Sequence, residues 1–253
     1  MLKAGFIRAV LAAAALAIVV GGARAERTNV AVAANFADAA KEIASAFKIK
    51  TGHEAVLSFG SSGQLLNQIA QDAPFQVMLS ADDERPRKLI DDGLGVAESR
   101  FTYAVGKLVL WSRALDGAIG AETLKSGRFN KISIAAPAAA PYGVAAIEAM
   151  RGLGVYDSLK SKTVEGASIA QAFQFIDTGN AELGFVALSQ LAGIKSGSHW
   201  VVDQALYTQI RQDAVLLRKG AANKAAVSFM AFLKGPEARS IIERFGYELD
   251  EKR

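Results

Sequence analysis

Apolar residues follow two alternating rhythms along this chain. Short, nearly continuous apolar runs predict strands at residues 30–33, 55–59, 77–79, 108–111, 132–135, 183–186, 200–202 and 214–217. Between them the spacing changes to that of helices with one buried stripe. Phe36, Ala39, Ala40, Ile43, Ala44 and Phe47 fall at i, i+3, i+4, i+7, i+8 and i+11, and Gly52 stops the pattern. Ile169, Ala172, Phe173 and Ile176 repeat the same spacing, with Gly179-Asn180 placed as a left-handed cap. A shorter helix is predicted over 64–70, and another after Pro141 with Val144, Ile147 and Met150 on its inner face. Two further helical stretches cover 84–92 and 221–245.

Strands that alternate with helices predict an α/β protein whose mostly parallel sheets carry helices on their faces. If the chain passes from a first lobe to a second near Leu108 and returns near Asp213, the C-terminal helices complete the first lobe. The first lobe is then 26–106 plus 213–253, the second is 107–212, and two connecting strands make the hinge.

Four junctions that open helices carry neutral hydrogen-bonding residues: Asn35-Phe36, Ser61-Ser62, Tyr142-Gly143 and Ser168-Ile169. The first turn of a helix leaves its N–H groups without partners and carries about half a positive charge, so each junction can hold one edge of an oxyanion. Four such ends sum to about two positive charges, enough to balance a dianion without lysine or arginine. Taken singly, Asn35, Ser61, Ser62 and Ser168 are equally well explained as helix caps. Their recurrence after strand ends is what points to a ligand, because open α/β folds bind ligands at the carboxyl ends of parallel strands.

Composition narrows the setting. Lys3 and Arg8 precede an apolar run over 9–20 that ends in Ala23-Arg24-Ala25, the pattern of a secretory signal peptide cleaved to leave Glu26. Its loss changes the balance from 29 basic and 25 acidic residues to 26 and 25, so the exported protein is nearly neutral. Neither nucleic acid nor an anionic membrane is indicated as a partner. The chain has no cysteine, which removes disulfides, a thiol nucleophile and a lipoprotein anchor. A soluble periplasmic protein is expected.

Motifs for catalysis fail. Gly60-Ser61-Ser62-Gly63 is not the Gly-x-Ser-x-Gly elbow, and His53 and His199, the two histidines, offer no evident base, His53 lying in a polar turn. No Gly-x-x-x-x-Gly-Lys occurs, and Gly152-Leu153-Gly154 lacks a third glycine. Asp82-Asp83 and Asp91-Asp92 are expected to be solvated, and Trp111 and Trp200 to pack in the core.

Ordered motifs run through the whole expected mature chain: Val32-Ala33-Ala34-Asn35-Phe36, Ser58-Phe59-Gly60-Ser61-Ser62, Met78-Leu79-Ser80-Ala81-Asp82, Leu183-Gly184-Phe185-Val186-Ala187 and Phe232-Leu233-Lys234-Gly235-Pro236-Glu237-Ala238. In these the sequence resembles the periplasmic molybdate-binding proteins of ABC transporters. The resemblance implies a two-lobed type II periplasmic binding protein, not an enzyme, and no cofactor. It points to Asn35, Ser62, Tyr142 and the backbone of Ile169 as ligands of the oxyanion, with Ala34, Ser61, Gly143 and Ser168 as additional candidates. These residues would hold molybdate through its oxygens, without direct bonds to the metal. Molybdate or tungstate is the implied ligand, a membrane permease with its ATPase the implied partner, and a monomer the expected state. The alternatives are another oxyanion such as sulfate, or an exported enzyme acting on a small anion. Many members carry Ser in place of Asn35, a small residue in place of Tyr142, Tyr in place of Ala187 and Asp in place of Gln76. The binding shell is therefore expected to be rearranged, with Tyr142 supplying the phenol missing at Ala187.

Overall fold

The computed structural model describes residues 25–115 and 117–250. The predicted signal peptide over 1–25 lies, but for its last residue, outside them. In chain order the elements are β1 (Arg27–Ala33), α1 (Ala37–Thr51), β2 (Glu54–Gly60), α2 (Ser62–Ala70), β3 (Val77–Leu79), α3 (Glu84–Asp91), β4 (Phe101–Gly106), β5 (Leu108–Ser112) and α4 (Ala121–Ser126). There follow β6 (Ile132–Ala135), α5 (Pro141–Gly152), α6 (Tyr156–Leu159), β7 (Thr163–Gly166), α7 (Ile169–Asp177), β8 (Leu183–Ala187), β9 (Ser198–Val201), β10 (Ile210–Leu216), α8 (Lys224–Leu233) and α9 (Pro236–Arg244). Among the described residues no helix is long and apolar enough to cross a membrane.

Two five-stranded sheets give the two lobes, in the orders β2-β1-β3-β10-β4 and β7-β6-β8-β5-β9. In the first, β2, β1 and β3 run parallel, and β10 lies antiparallel to β3 and β4. The second repeats the plan: β7, β6 and β8 are parallel, and β5 is antiparallel to β8 and β9. The chain passes between sheets at Lys107, between β4 and β5, and returns between Val201 and Ile210, where β10 pairs Ile210 with Gly106.

The stripe of α1 buries Ala39, Ala40, Ile43 and Phe47 against the first sheet, and Gly52 ends the helix at φ 74°. On the second sheet, α7 buries Ile169, Ala172 and Ile176, while Phe173 stacks on Trp111 with centroids 4.8 Å apart. The C-terminal helical stretch is broken at Gly235-Pro236 into α8 and α9, proline opening the second helix where its missing N–H has no role.

Three expectations need correction. The inner face of α5 is not Val144, Ile147 and Met150. Val144 is 43% exposed, Ile147 is partly buried, and the buried stripe is Tyr142, Gly143, Ala145, Ala146, Ala149 and Met150. Small residues let this helix sit very close to β6: a Cβ at Gly143 would lie 2.1 Å from the Ala135 carbonyl oxygen. Asp82 is not solvated either. Its carboxylate accepts from Ser80 Oγ at 2.9 Å and the Arg85 N–H at 3.1 Å, pairs with the Arg85 guanidinium, and has a side chain only 14% exposed. Finally, β4 and β7 were not predicted as strands.

Candidate functional site

In both sheets the central parallel strand has its neighbours on opposite sides, β1 between β2 and β3 and β6 between β7 and β8. The connections leaving these strands diverge there, and the carboxyl ends at such a point are where open α/β folds bind ligands. Asn35, Ser62 and Ala81 follow β1, β2 and β3; Tyr142 and Ile169 follow β6 and β7, and Ala187 ends β8. Ala34 and Ala81 pack in one buried cluster with Tyr142, Ile169 and Ala187, which brings the two sets together across the lobes.

On the first lobe, β1 runs straight into a 3-10 turn, Ala34–Phe36, with Ala34 and Asn35 buried. Asn35 Nδ2 donates to Gln212 Oε1 at 2.8 Å and to Tyr247 Oη at 3.0 Å, so both amide hydrogens are committed within the protein. At the start of α2 the two serines divide the work. Ser61 is the cap: its Oγ accepts from Gln64 N at 3.4 Å while its N–H donates to Gln64 Oε1 at 3.2 Å. Ser62, the first helical residue, is 1% exposed, and its Oγ accepts the Ala81 N–H at 2.9 Å. The Ser62 proton and backbone N–H find no protein acceptor among the described residues. The next N–H, that of Gly63, donates across the cleft to the Ala139 carbonyl at 2.9 Å.

On the second lobe, Pro141 opens α5 after the turn that leaves β6, and Tyr142 is 1% exposed. Its Oη accepts from Gln212 Nε2 at 3.4 Å and donates to no protein atom among the described residues. Gly143 contributes close packing on β6, since its N–H is taken by the Ala140 carbonyl at 2.9 Å. Ser168 caps α7, its Oγ accepting from Gln171 N at 3.3 Å. The N–H of Ile169, first in that helix, has no protein acceptor among the described residues, and its carbonyl accepts from Gln190 Nε2 at 3.2 Å.

A buried polar network joins these pieces. Gln212 Oε1 accepts from Asn35 and from Tyr103 Oη at 3.2 Å; Ser189 Oγ and Tyr247 Oη donate to the Asn35 carbonyl at 2.8 and 2.9 Å. Phe36 packs edge-on against both Tyr103 and Tyr247, with centroids 4.8 and 5.3 Å apart, which fixes the two phenols beside Asn35. Burial pushes Tyr103 and Tyr142 well above the ordinary phenol range and raises Tyr247 too, so all three remain protonated donors. Among the described residues no lysine or arginine hydrogen-bonds to the side chains of Asn35, Ser62 or Tyr142. Among the described residues no group of His, Asp and Glu is arranged to hold a metal ion.

Sequence reasoning missed Tyr103, Ser189, Gln212 and Tyr247. Gln212-Asp213 was the readable sign of one of them, a polar pair just before the apolar run Ala214-Val215-Leu216 of β10, where both residues are at most 1% exposed. The other three carry no local signal, since their partners lie far along the chain.

A family model described as bacterial extracellular solute-binding protein matches residues 28–248. The chain is 51% identical over 238 residues to the molybdate-binding protein ModA of Rhodobacter capsulatus, covering 93% of this chain and 94% of that one. It is 53% identical over 232 residues to the molybdate-binding protein ModA of Azotobacter vinelandii, covering 90% and 92%. The solved periplasmic molybdate-binding protein of Azotobacter vinelandii superposes with a TM-score of 0.84 at 40% identity, over 88% of this chain and all of that one. The chain belongs to the bacterial extracellular solute-binding proteins, in the family that includes these molybdate-binding proteins.

Proposed function

We propose that this protein captures molybdate in the cleft between its lobes and presents it to the permease of an ABC transporter. One observation carries the chemistry: Ser62 Oγ and Tyr142 Oη, from opposite lobes, each accept one hydrogen bond from the protein and have no protein acceptor for their own proton among the described residues. Both are therefore set to donate outward, beside the N–H groups of Ser62 and Ile169 that begin two helices. Molybdate is a tetrahedral dianion without a proton at neutral pH, and a shell of donors matches it. Asn35, whose amide is committed to Gln212 and Tyr247, contributes through its backbone and by fixing the turn after β1. Ala34, Ser61, Gly143 and Ser168 shape and cap the site, with their own polar groups largely engaged elsewhere.

Hydrogen bonds to a charged acceptor contribute about 1.5–3 kcal/mol each, so several of them offset dehydration of the ion. The lobes, expected to divide at 106 and 213, are taken here as 26–106 with 210–250, since β10 enters the first sheet at Ile210, and the residues between them; their closure excludes water, and the closed shape is what the permease recognises. The working protein is a periplasmic monomer beginning at Glu26, a binding protein and not an enzyme. Sequencing the N-terminus of exported material checks the leader, and a protein retaining residues 1–25 in the membrane fraction refutes it. Calorimetry against an oxyanion panel tests the ligand. Molybdate and tungstate bind, whereas hydrogen phosphate is weaker by roughly tenfold to a hundredfold, because its proton meets donors that face the same way. Phosphate binding as tight as molybdate sinks this reading.

A further inference from the structure

The polar network holds one residue whose place on the chain differs from all the others. Gln212 lies on β10, next to the point where the chain returns to the first sheet, and is fully buried. Its carboxamide bridges the two lobes' candidate ligands: Oε1 receives Asn35 Nδ2 at 2.8 Å, and Nε2 donates to Tyr142 Oη at 3.4 Å. The space for this contact is made by Gly106 on β4, where a Cβ would meet Tyr142 Oη at 2.1 Å and Gln212 Nε2 at 2.7 Å.

The two ends of the amide are not interchangeable. The Oε1 side faces the Asn35 amide at 2.8 Å and the Tyr103 hydroxyl at 3.2 Å, whose one hydrogen is shared with the Ser80 carbonyl at 3.0 Å, so the Asn35 amide is the donor that holds the oxygen in place. With the oxygen so engaged, the nitrogen must point at Tyr142. A phenol has one hydrogen. Because Tyr142 Oη accepts from Gln212, that hydrogen is directed away from the hinge.

We infer that Gln212 is a positioning residue that fixes the donor polarity of the anion shell, holding Tyr142 as an acceptor toward the hinge and hence as a donor toward the ligand. This rests on the proposed reading of Tyr142 as a ligand. It assigns specificity to a side chain that need not touch the ion: the hinge amide decides that the phenol offers a proton and not a lone pair. It also ties the second lobe's phenol to the first lobe's Asn35 through a single group, so the two halves of the shell are oriented together.

The test is a double-mutant cycle on molybdate affinity by calorimetry, using Gln212→Glu and Tyr142→Phe. The carboxylate keeps the acceptor for Asn35 and Tyr103 but replaces the donor facing Tyr142 with a second acceptor, which draws the phenol proton away from the ion. Its added charge repels the ion in both backgrounds and cancels in the ratio. Expected is a loss of affinity for Gln212→Glu at least about fivefold larger in the parent than in the Tyr142→Phe protein. Gln212→Met repeats the cycle without charge, and coupling of the same sign is expected, should the glutamate fail to fold. The melting temperature without ligand is measured beside each affinity, since a purely structural role lowers it without coupling to Tyr142.

Equal affinity costs in both backgrounds, for both substitutions, overturn the positioning role. They would mean either that Gln212 is scaffold or that its amide is turned over. If Tyr142→Phe alone binds molybdate as well as the parent does, the reading of Tyr142 as a ligand fails first, and the inference fails with it.

Discussion

The two lobes share one plan and use it differently. Each has three parallel strands whose carboxyl ends meet the cleft, with β1, β2 and β3 answering to β6, β7 and β8. On the first lobe β1 passes directly into its helical turn and presents Asn35, with Ser62 tied to Ala81 beside it. On the second lobe a turn separates β6 from α5, and a large side chain, Tyr142, reaches to the hinge. The difference teaches that the same strand-to-helix plan can bring unlike side chains to one hinge residue: Asn35 meets Gln212 through a short amide and Tyr142 meets it through a phenol.

The largest expected break in this comparison comes from Gly143→Ala. A Cβ there would sit 2.1 Å from the Ala135 carbonyl oxygen, so α5 must move away from β6. Calorimetric unfolding without ligand is expected to show a loss of about 3 kcal/mol, confined to a junction with no counterpart in the first lobe. An unchanged melting temperature would show that the helix has slack.

Next comes Tyr142→Phe, which removes the second lobe's hydroxyl. Binding of molybdate is expected to weaken by about 1.5–3 kcal/mol. Stability without ligand falls by only about 1 kcal/mol, from the acceptor lost to Gln212 Nε2. Parent-like affinity would reduce Tyr142 to part of the wall.

On the first lobe the neighbouring serines separate capping from binding. Ser61→Ala is expected to cost about 1 kcal/mol of stability with affinity nearly unchanged, because only the cap of α2 is lost. Ser62→Ala leaves that cap intact; it costs about 1 kcal/mol or more of stability because the buried Ala81 N–H loses its acceptor, and it also lowers affinity by about 1.5 kcal/mol or more. Paired melting and titration of the two proteins decide, and reversed outcomes would exchange their roles.

The smallest effect concerns acid. Glu182, on the second lobe, is desolvated, which raises its pKa, but N–H bonds from Asn130 and Lys131 prevail and hold it below 4.5. Its stabilisation is full above pH 4.5 and is lost as the pH falls through the lower folded value. Asp213, beside the hinge, behaves oppositely: burial raises it above 3.8 against the pull of Thr102 and Arg100. Its contribution is full below pH 3.8 and fades as the pH rises through the raised folded value. Melting curves between about pH 3 and 6 should show Glu182→Gln flattening the acid-side loss and Asp213→Asn steepening it. Parallel profiles would mean that neither lobe's carboxylate is linked to folding.

Much of the architecture was legible because local rules agreed with the global fold. The stripe from Phe36 to Phe47 and its Gly52 stop became α1, and residues 77–79 and 132–135 match β3 and β6. Of the two strands that escaped, β7 was weakly patterned, since Thr163-Val164-Glu165-Gly166 carries a single large apolar residue. The face of α5 was misread for a different reason: alanines and glycine, not larger residues, were what close approach to β6 required.

The sequence by itself determined where helices begin and which hydrogen-bonding residues stand at their starts, because caps, glycine stops and apolar periodicity act over a few residues. Only the tertiary structure decided which of those hydrogens remain free. Asn35 is engaged by Gln212, 177 residues away, and Tyr142 Oη receives an amide 70 residues away, while Ser62 is filled from Ala81. Each hydroxyl has one proton and each amide two, so what they can offer a ligand depends on partners delivered by folding, and no local pattern encodes that.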